Sequence, residues 1–281
     1  MRLLWDDPAL TSRSAGEELA HAVAGSPKSD VTVRLRVSLP STFPLAKTRP
    51  RYTVRHLLKT AVVTGEPVRY VRETPAAADA VSGAAYRDTP EAGFTPRLCS
   101  ATLTDLTARM PLPDGVGDDP ALLAMFTDHR VVVRLCTVEN EALLAGAADG
   151  VLPGLLRHPG VRRAHASGSL ADDVARAASD VEEMGGSCDG IVAHPSVYWR
   201  MVTSGLLARL AEVGVRVSRT RMIAREEMLL GDFRAAATLL DPAESTLRLV
   251  RAAGDAPDMI EASVRVGLAL HLPQHLLLMR L

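Results

Sequence analysis

The spacing of apolar residues changes period several times along this chain, and each change marks an element. Over residues 31–37, Val31, Val33, Leu35 and Val37 alternate with Thr32, Arg34 and Arg36, a period of two that predicts a strand. A longer alternation lies near the C-terminus. Ile260, Ala262, Val264, Val266, Leu268, Leu270 and Leu272 share one face, and Glu261, Ser263, Arg265, Gly267, Ala269 and His271 the other, which predicts a half-buried strand ended by Pro273. Residues 276–279 read as one more strand, and shorter ones are predicted around Val68, Tyr70 and Val71, at 81–86, at 98–109 and at 215–218. The helical period dominates elsewhere. Asp119 as N-cap and Pro120 at the first helical position open a long helix that Gly146 ends. Leu122, Leu123, Met125, Phe126, Val133, Cys136 and Leu144 are its apolar positions, and the β-branched run Val131-Val132-Val133 is its weak point. Residues 171–184 form an amphipathic helix that Gly185-Gly186 stops; Ile191-Val192-Ala193 is a short buried strand, and His194-Pro195-Ser196 turns into a helix over 196–212. A further short helix is predicted over 8–24, stopped by Gly25-Ser26-Pro27.

Charge changes this picture in one place. The 281 residues carry a net charge of -1, so affinity for nucleic acid is not a property of the chain as a whole. Residues 28–72, however, hold ten Lys and Arg against two acids, a net +8, which leaves -9 for the rest. A long, basic, two-stranded loop has too little core to stand alone. It has three readings: a contact with an acidic neighbouring subunit, a solvated loop, or a nucleic-acid patch. The length suits two compact domains or one elaborate one, and at 4% aromatic content the core must be built from Leu, Val and Ala. No stretch has the length and apolarity of a transmembrane helix, the first residues carry acids rather than a leader's apolar run, and Cys99, Cys136 and Cys188 read as free thiols of a reducing cytoplasm.

Candidate chemistry is sparse. Cys188 with His194, backed by Asp180 or Asp189, has the composition of a Cys–His pair, although a buried thiol and a turn histidine account for both. The glycine-rich run 185–190 lacks the lysine and spacing of a phosphate loop and reads as a helix-to-strand turn. His271 and His275 are separated by Pro273 and share no helical face; Asp114, Asp118 and Asp119 supply too few donors for calcium. The expectation is no catalytic residue, no cofactor and no metal.

Three segments, in order, carry a family resemblance: residues 189–199, beginning Asp189-Gly190-Ile191-Val192-Ala193-His194-Pro195; residues 227–236, containing Leu229-Leu230-Gly231-Asp232-Phe233; and residues 264–273, ending Leu270-His271-Leu272-Pro273. They resemble the second half of the HK97-type phage-capsid family, which includes the bacterial encapsulins, and the long helix ending Glu139-Asn140-Glu141-Ala142-Leu143-Leu144-Ala145-Gly146 resembles that family's spine helix. The resemblance implies an α+β fold with an N-terminal arm over 1–27, an extended E-loop over 28–72 and a P domain over 73–150 whose spine helix spans about 120–145. An A domain over 151–241 and strands over 242–281 that return to the P domain complete it. It implies a self-assembling shell protein of a cytoplasmic icosahedral nanocompartment, partnered by further copies of itself and a cargo enzyme, with no membrane. Nucleic acid would be a partner only in a phage capsid. Arg34, Arg36, Lys47, Arg49, Arg51, Arg55 and Lys59 are then candidate intersubunit contacts of the loop, and Leu10, Leu19 and Val23 candidate cargo contacts. Some phage shells join an E-loop lysine to an asparagine; the only asparagine here is Asn140, and no such cross-link is expected of Lys47 or Lys59. Many phage versions begin with a long scaffold-like region, whereas about two dozen residues precede the loop here, which favours an encapsulin. The alternatives are a phage or prophage capsid enclosing DNA and a small-molecule enzyme on the 151–241 unit. Pores in the family form where A-domain loops meet, which leaves 157–170 and 184–190 as candidates.

Overall fold

A computed structural model describes residues 13–26, 28–43, 51–75, 94–254 and 256–281. The chain runs α1 (Ala15–Gly25), β1 (Val31–Leu35), β2 (Lys59–Val62), β3 (Val68–Pro75), β4 (Phe94–Ala101), β5 (Thr104–Pro111), α2 (Pro120–Phe126), α3 (Val132–Ala145) and β6 (Arg162–His165). It continues with α4 (Leu170–Glu183), β7 (Gly190–Ala193), α5 (Pro195–Thr203), α6 (Leu206–Glu212), β8 (Arg216–Arg219), β9 (Glu227–Gly231), α7 (Phe233–Ala236), β10 (Ala237–Asp241), β11 (Ser245–Val250), β12 (Met259–Leu270) and β13 (Leu276–Arg280).

These strands make two sheets and a ribbon. The first sheet has the order β1-β11-β12-β10-β2, with β5 also on β12; the second has the order β6-β13-β9-β7-β8; β3 and β4 pair only with each other. Within the first sheet, β12 is the organising strand. Its predicted alternation holds where β11 and β5 flank it: Ile260, Ala262, Val264 and Val266 are buried and Arg265 is exposed. From Gly267 to Leu270 every residue is buried, because β10 pairs there and Tyr70 packs on Ala269.

The predicted long helix is α2 and α3 joined by a π turn over Thr127–Val131, which ends on the first residue of the valine run. Its start is as predicted, with the Asp119 carboxylate accepting from Ala121 N at 2.8 Å. Buried Val131, Val132, Leu135, Leu143 and Leu144 fix it in the core shared with the first sheet. The second sheet packs α4, α5 and α6 on one face, through Val174, Val181, Val197, Met201 and Leu210. Its other face, through Val192, Leu229, Leu276 and Leu278, joins the first core.

Three predicted boundaries differ from the structure. Helix α1 starts at Ala15, not near residue 8: Arg13 and Ser14 are non-helical, and Ser14 with Glu17 closes a capping box, Ser14 N donating to the Glu17 carboxylate at 2.6 Å. Residues 28–72 are not one extended loop. β1 pairs with β11, β2 runs parallel to β10, and Val37, Leu39, Phe43, Val54 and Leu57 between them are buried. The two-stranded ribbon is β3–β4 instead, and the strand predicted at 81–86 lies outside the described residues. Finally, β11 and β12 join the first sheet, but β13 does not. It lies in the middle of the second sheet between β6 and β9, as four consecutive buried residues, Leu276 to Met279, require of a strand covered on both faces.

Candidate assembly and docking surfaces

The cations predicted to reach a neighbour separate into three groups. Arg34 and Arg36 on and after β1, and Lys59 at the start of β2, are exposed. Lys47 and Arg49 lie outside the described residues. Arg51 and Arg55 are turned inward. The Arg51 guanidinium sits 4.5 Å over the Phe43 ring. Arg55 is buried at 1% exposure and is removed from the surface set altogether: it binds both oxygens of Glu139 on α3, Nε to Oε2 at 3.0 Å, and its Nη1 reaches Asp241 at the end of β10. Burial alone would depress the Arg55 pKa, but Glu139 and then Asp241 reverse this and raise it, so the cation is permanent. Neighbouring Asn140 is also buried, its amide oxygen accepting from Val54 N at 2.8 Å, so the chain's only asparagine is committed inside the subunit.

His56 lies beside this triad, its ring stacked 4.1 Å from that of Tyr52. Burial, with Arg216 and Arg234 nearby, pushes its pKa from 6.5 down to about 4. Folding therefore keeps it neutral, while the unfolded chain protonates it near pH 6.5, so its contribution to stability is lost as pH falls from about 6.5 to about 4. Chemical unfolding across that window should show a shallower decline in His56→Phe, which keeps a ring on Tyr52 without a titratable group; equal slopes would remove this assignment.

The ribbon carries the clearest unpartnered apolar surface. Val71 and Leu98 are directly paired across β3 and β4 and are 51% and 70% exposed, and Val62 at the end of β2 is 70% exposed. The ribbon's other face, with Val68, Tyr70 and Cys99, packs on Leu240 and Ala269 of the first sheet, so the exposed pair is the one uncovered face of a ribbon too small to have a core of its own.

The cargo candidates are placed differently from expectation. Leu10 lies outside the described residues, and Leu19 and Val23 are buried against the first sheet, so neither can meet a ligand. What the N-terminal helix presents instead is a cleft of about 620 Å³ between α1 and α2, lined by Ala20, His21, Ala24, Ala121 and Met125. Met125 is 55% exposed at its rim. The helix is seated by Asp128 in the π turn, which accepts from Ser14 Oγ at 2.5 Å and Gly16 N at 2.8 Å. Gly16 permits this approach: a Cβ there would stand 2.9 Å from the Ala124 carbonyl carbon and closer still to its oxygen. Gly16→Ala should cost about 1–3 kcal/mol as overpacking against backbone. Unchanged thermal stability and protease resistance of α1 would contradict this seating.

The Cys–His reading finds no support in the geometry. His194 caps α5, its Nδ1 taken by Ser196 N at 3.2 Å and Ser196 Oγ at 2.8 Å. Burial, with Asp189 beside it, pushes the Cys188 thiol up to about 11, so no thiolate forms at neutral pH. Asp189 and Asp232 serve the backbone instead, accepting from Phe233 N and Ser187 N. Among the described residues no cluster of His, Cys, Asp or Glu is placed to hold a metal ion, and no helix is long and apolar enough to cross a membrane.

One surface escaped the sequence reading. Residues 196–225 hold six arginines and one acid, Glu212, a net +5. Arg219 at the end of β8 stacks 4.6 Å over the Tyr198 ring and 6.0 Å from that of Trp199, which is 50% exposed. The six-arginine count was legible, but these arginines alternate with apolar residues and do not form a run.

No protein-family model and no curated protein matches the sequence. Solved structures do. A virus-like particle protein from Pyrococcus furiosus is similar at 15% identity, with TM-score 0.57 over 82% of this chain and 93% of that one. A Mycobacterium phage Bobi protein is similar at 12% identity, with TM-score 0.58 over 87% and 95%. The capsid of an empty GTA particle is similar at 17% identity, with TM-score 0.54 over 81% and 89%. The spine of α2 and α3, the β12-centred sheet, the second α/β sheet and the β3–β4 ribbon thus form the HK97-type capsid fold.

Proposed function

We propose that this chain is the subunit of a self-assembling icosahedral shell, an encapsulin-type nanocompartment that encloses cargo protein in the cytoplasm. The observation that carries the reading is the β3–β4 ribbon on a subunit of HK97-type fold, with its Val71 and Leu98 pair left exposed. Such a ribbon gains stability when it lies on another subunit, and one chain repeating that heterologous contact closes a shell. Arg34, Arg36 and Lys59, and Lys47 and Arg49 beyond the described residues, remain cations for a neighbour, whereas Arg55 does not. A cargo segment would meet the cleft between α1 and α2 through Ala20, His21 and Met125 rather than Leu19 and Val23. The second reading, a phage or prophage capsid enclosing DNA, is favoured by the similarity to phage proteins such as that of Mycobacterium phage Bobi.

The test is to express the chain alone, fractionate it by size and image it by negative-stain electron microscopy. Uniform closed particles without nuclease-protected DNA support the compartment; particles that protect DNA support the capsid. A soluble monomer would overturn the reading of a self-sufficient shell.

A further inference from the structure

The arginine face around β8 and the acidic helix α4 stand in one α/β unit, and neither has its charge fully paired within the subunit: among the described residues only Arg162 acts on Asp180 and Glu183, without an ion pair to either. β8 is an edge strand of the second sheet, with Arg216 and Arg219 at its ends and exposed Arg221 just beyond. None of Arg216, Arg219 and Arg221 appears among the ion pairs of the described residues, all of which use other cations. Arg219 and Arg221 also act on a further guanidinium, that of Arg51, whose pKa is depressed first by burial and then by their like charge. Beside them are the exposed Trp199 and a mainly apolar cleft of about 710 Å³ that Tyr52, Tyr198 and Arg216 help to line. An aromatic and arginine surface around an apolar depression has the composition of a protein–protein interface centre.

α4 has the opposite anomaly. Residues 170–183 carry five acids and one arginine, a net -4. Asp173 is buried and used locally by Ser167 N and Arg176, but Asp180, Glu182 and Glu183 crowd the last turn, which has no basic residue. Anions there oppose the helix dipole. Arg162 approaches but bonds the Asp180 carbonyl oxygen, at 3.1 Å, rather than a carboxylate. Glu182 and Glu183 are exposed and belong to no ion pair of the described residues. α4 packs over β13 and β9, while α5 and α6 pack over β8 on the same face of the sheet, so the acidic and basic surfaces occupy different ends of one layer.

We propose that the Arg219–Arg221–Trp199 face of one copy docks against the Asp180–Glu182–Glu183 end of α4 in the next copy. The contact is heterologous: each unit offers its acidic end to one neighbour and its basic face to the other, so repetition around an axis closes a ring with every face used. Complementary charge sets the register and speeds encounter, and like charge at the same place blocks it. The inference rests on the shell reading above and specifies one of its contacts.

The experiment compares four forms expressed alone: wild type, Arg219→Glu with Arg221→Glu, Glu182→Arg with Glu183→Arg, and all four substitutions together. Particles are quantified by sedimentation and electron microscopy, and folding of unassembled subunits by circular dichroism. Each reversed face is expected to lower the particle fraction at least about tenfold while leaving folded subunits, and the fourfold form, with complementarity restored, to recover it. If wild type forms no particles, the shell reading itself fails. If wild type and both double variants assemble equally, this contact is wrong while the shell reading stands. Variants at Arg219 and Arg221 that assemble normally but lose co-purifying nucleic acid would assign that face to a polyanion and overturn the contact. Unfolding of either double variant is resolved by Arg221→Glu with Glu183→Arg made singly, both at exposed positions; their failure to slow assembly at low salt would also overturn it.

Discussion

Replacing Arg55 by alanine should cost the subunit about 3–5 kcal/mol, because it strands two carboxylates in a core that cannot solvate them. Glu139 is fully buried and Asp241 nearly so, and Arg55 is the ion-pair partner of both. The substitution disconnects three elements at once: the turn that carries Arg55, the spine helix α3, and the end of β10 in the first sheet. The size of the effect reflects the unpaired charges more than the value of the pairs. A triple replacement of Arg55, Glu139 and Asp241 by apolar residues of similar volume should therefore lose much less than Arg55→Ala alone. Guanidinium unfolding at fixed subunit concentration measures both, since assembly would otherwise shift the midpoint. A loss for Arg55→Ala within the roughly 0.5 kcal/mol typical of surface changes would show that the triad is hydrated and structurally idle.

That triad also marks where sequence reading runs out. Local signals were legible: Asp119 and Pro120 opened the spine helix where predicted, and the alternation of residues 260–266 became the central strand of the first sheet. Each depends only on neighbours within a turn or a strand. Arg55 looked like a surface cation because its partners are 84 and 186 residues away, and no local pattern encodes such a pairing. Residues 28–72 were misread for a related reason. Ten cations dominated the count, while the apolar positions Val31, Leu35, Val37, Leu39, Val54 and Leu57, which decide burial, were spread among them. The terminal strand β13 was recognised as a strand, but its place between β6 and β9 is a matter of topology. The capping box of Ser14 and Glu17 was legible and would have set the start of α1 correctly. Of the candidate docking residues, Leu19 and Val23 have the spacing of an apolar face, and spacing alone does not say whether that face meets the chain's own core or a partner.

Gly231→Ala should be among the most damaging single substitutions, at about 2–6 kcal/mol from backbone strain and overpacking together. The Leu229-Leu230-Gly231-Asp232-Phe233 segment was singled out by resemblance, and the structure gives its physical reason. Gly231 ends β9 with φ of +146°, a conformation that side chains rarely adopt, and it sits opposite Leu276 at the start of β13. A Cβ there would stand 3.1 Å from the His275 carbonyl carbon and closer still to its oxygen. Neither backbone can retreat easily. Asp232 N donates to that same His275 carbonyl at 3.2 Å, and Asp189 N donates to the Gly231 carbonyl at 3.1 Å. The substitution thus pushes apart β9 and β13, two strands in the middle of the second sheet, and with them the seat of α4. Loss of soluble folded subunit, or a thermal midpoint lowered by about 4 °C or more, is the expected result. By contrast Gly214, which also has positive φ, has open space around its Cβ position, so Gly214→Ala meets no clash and should lose less. Equal losses for the two would show that dihedral strain alone, and not the close passage of β13, accounts for the glycine at 231.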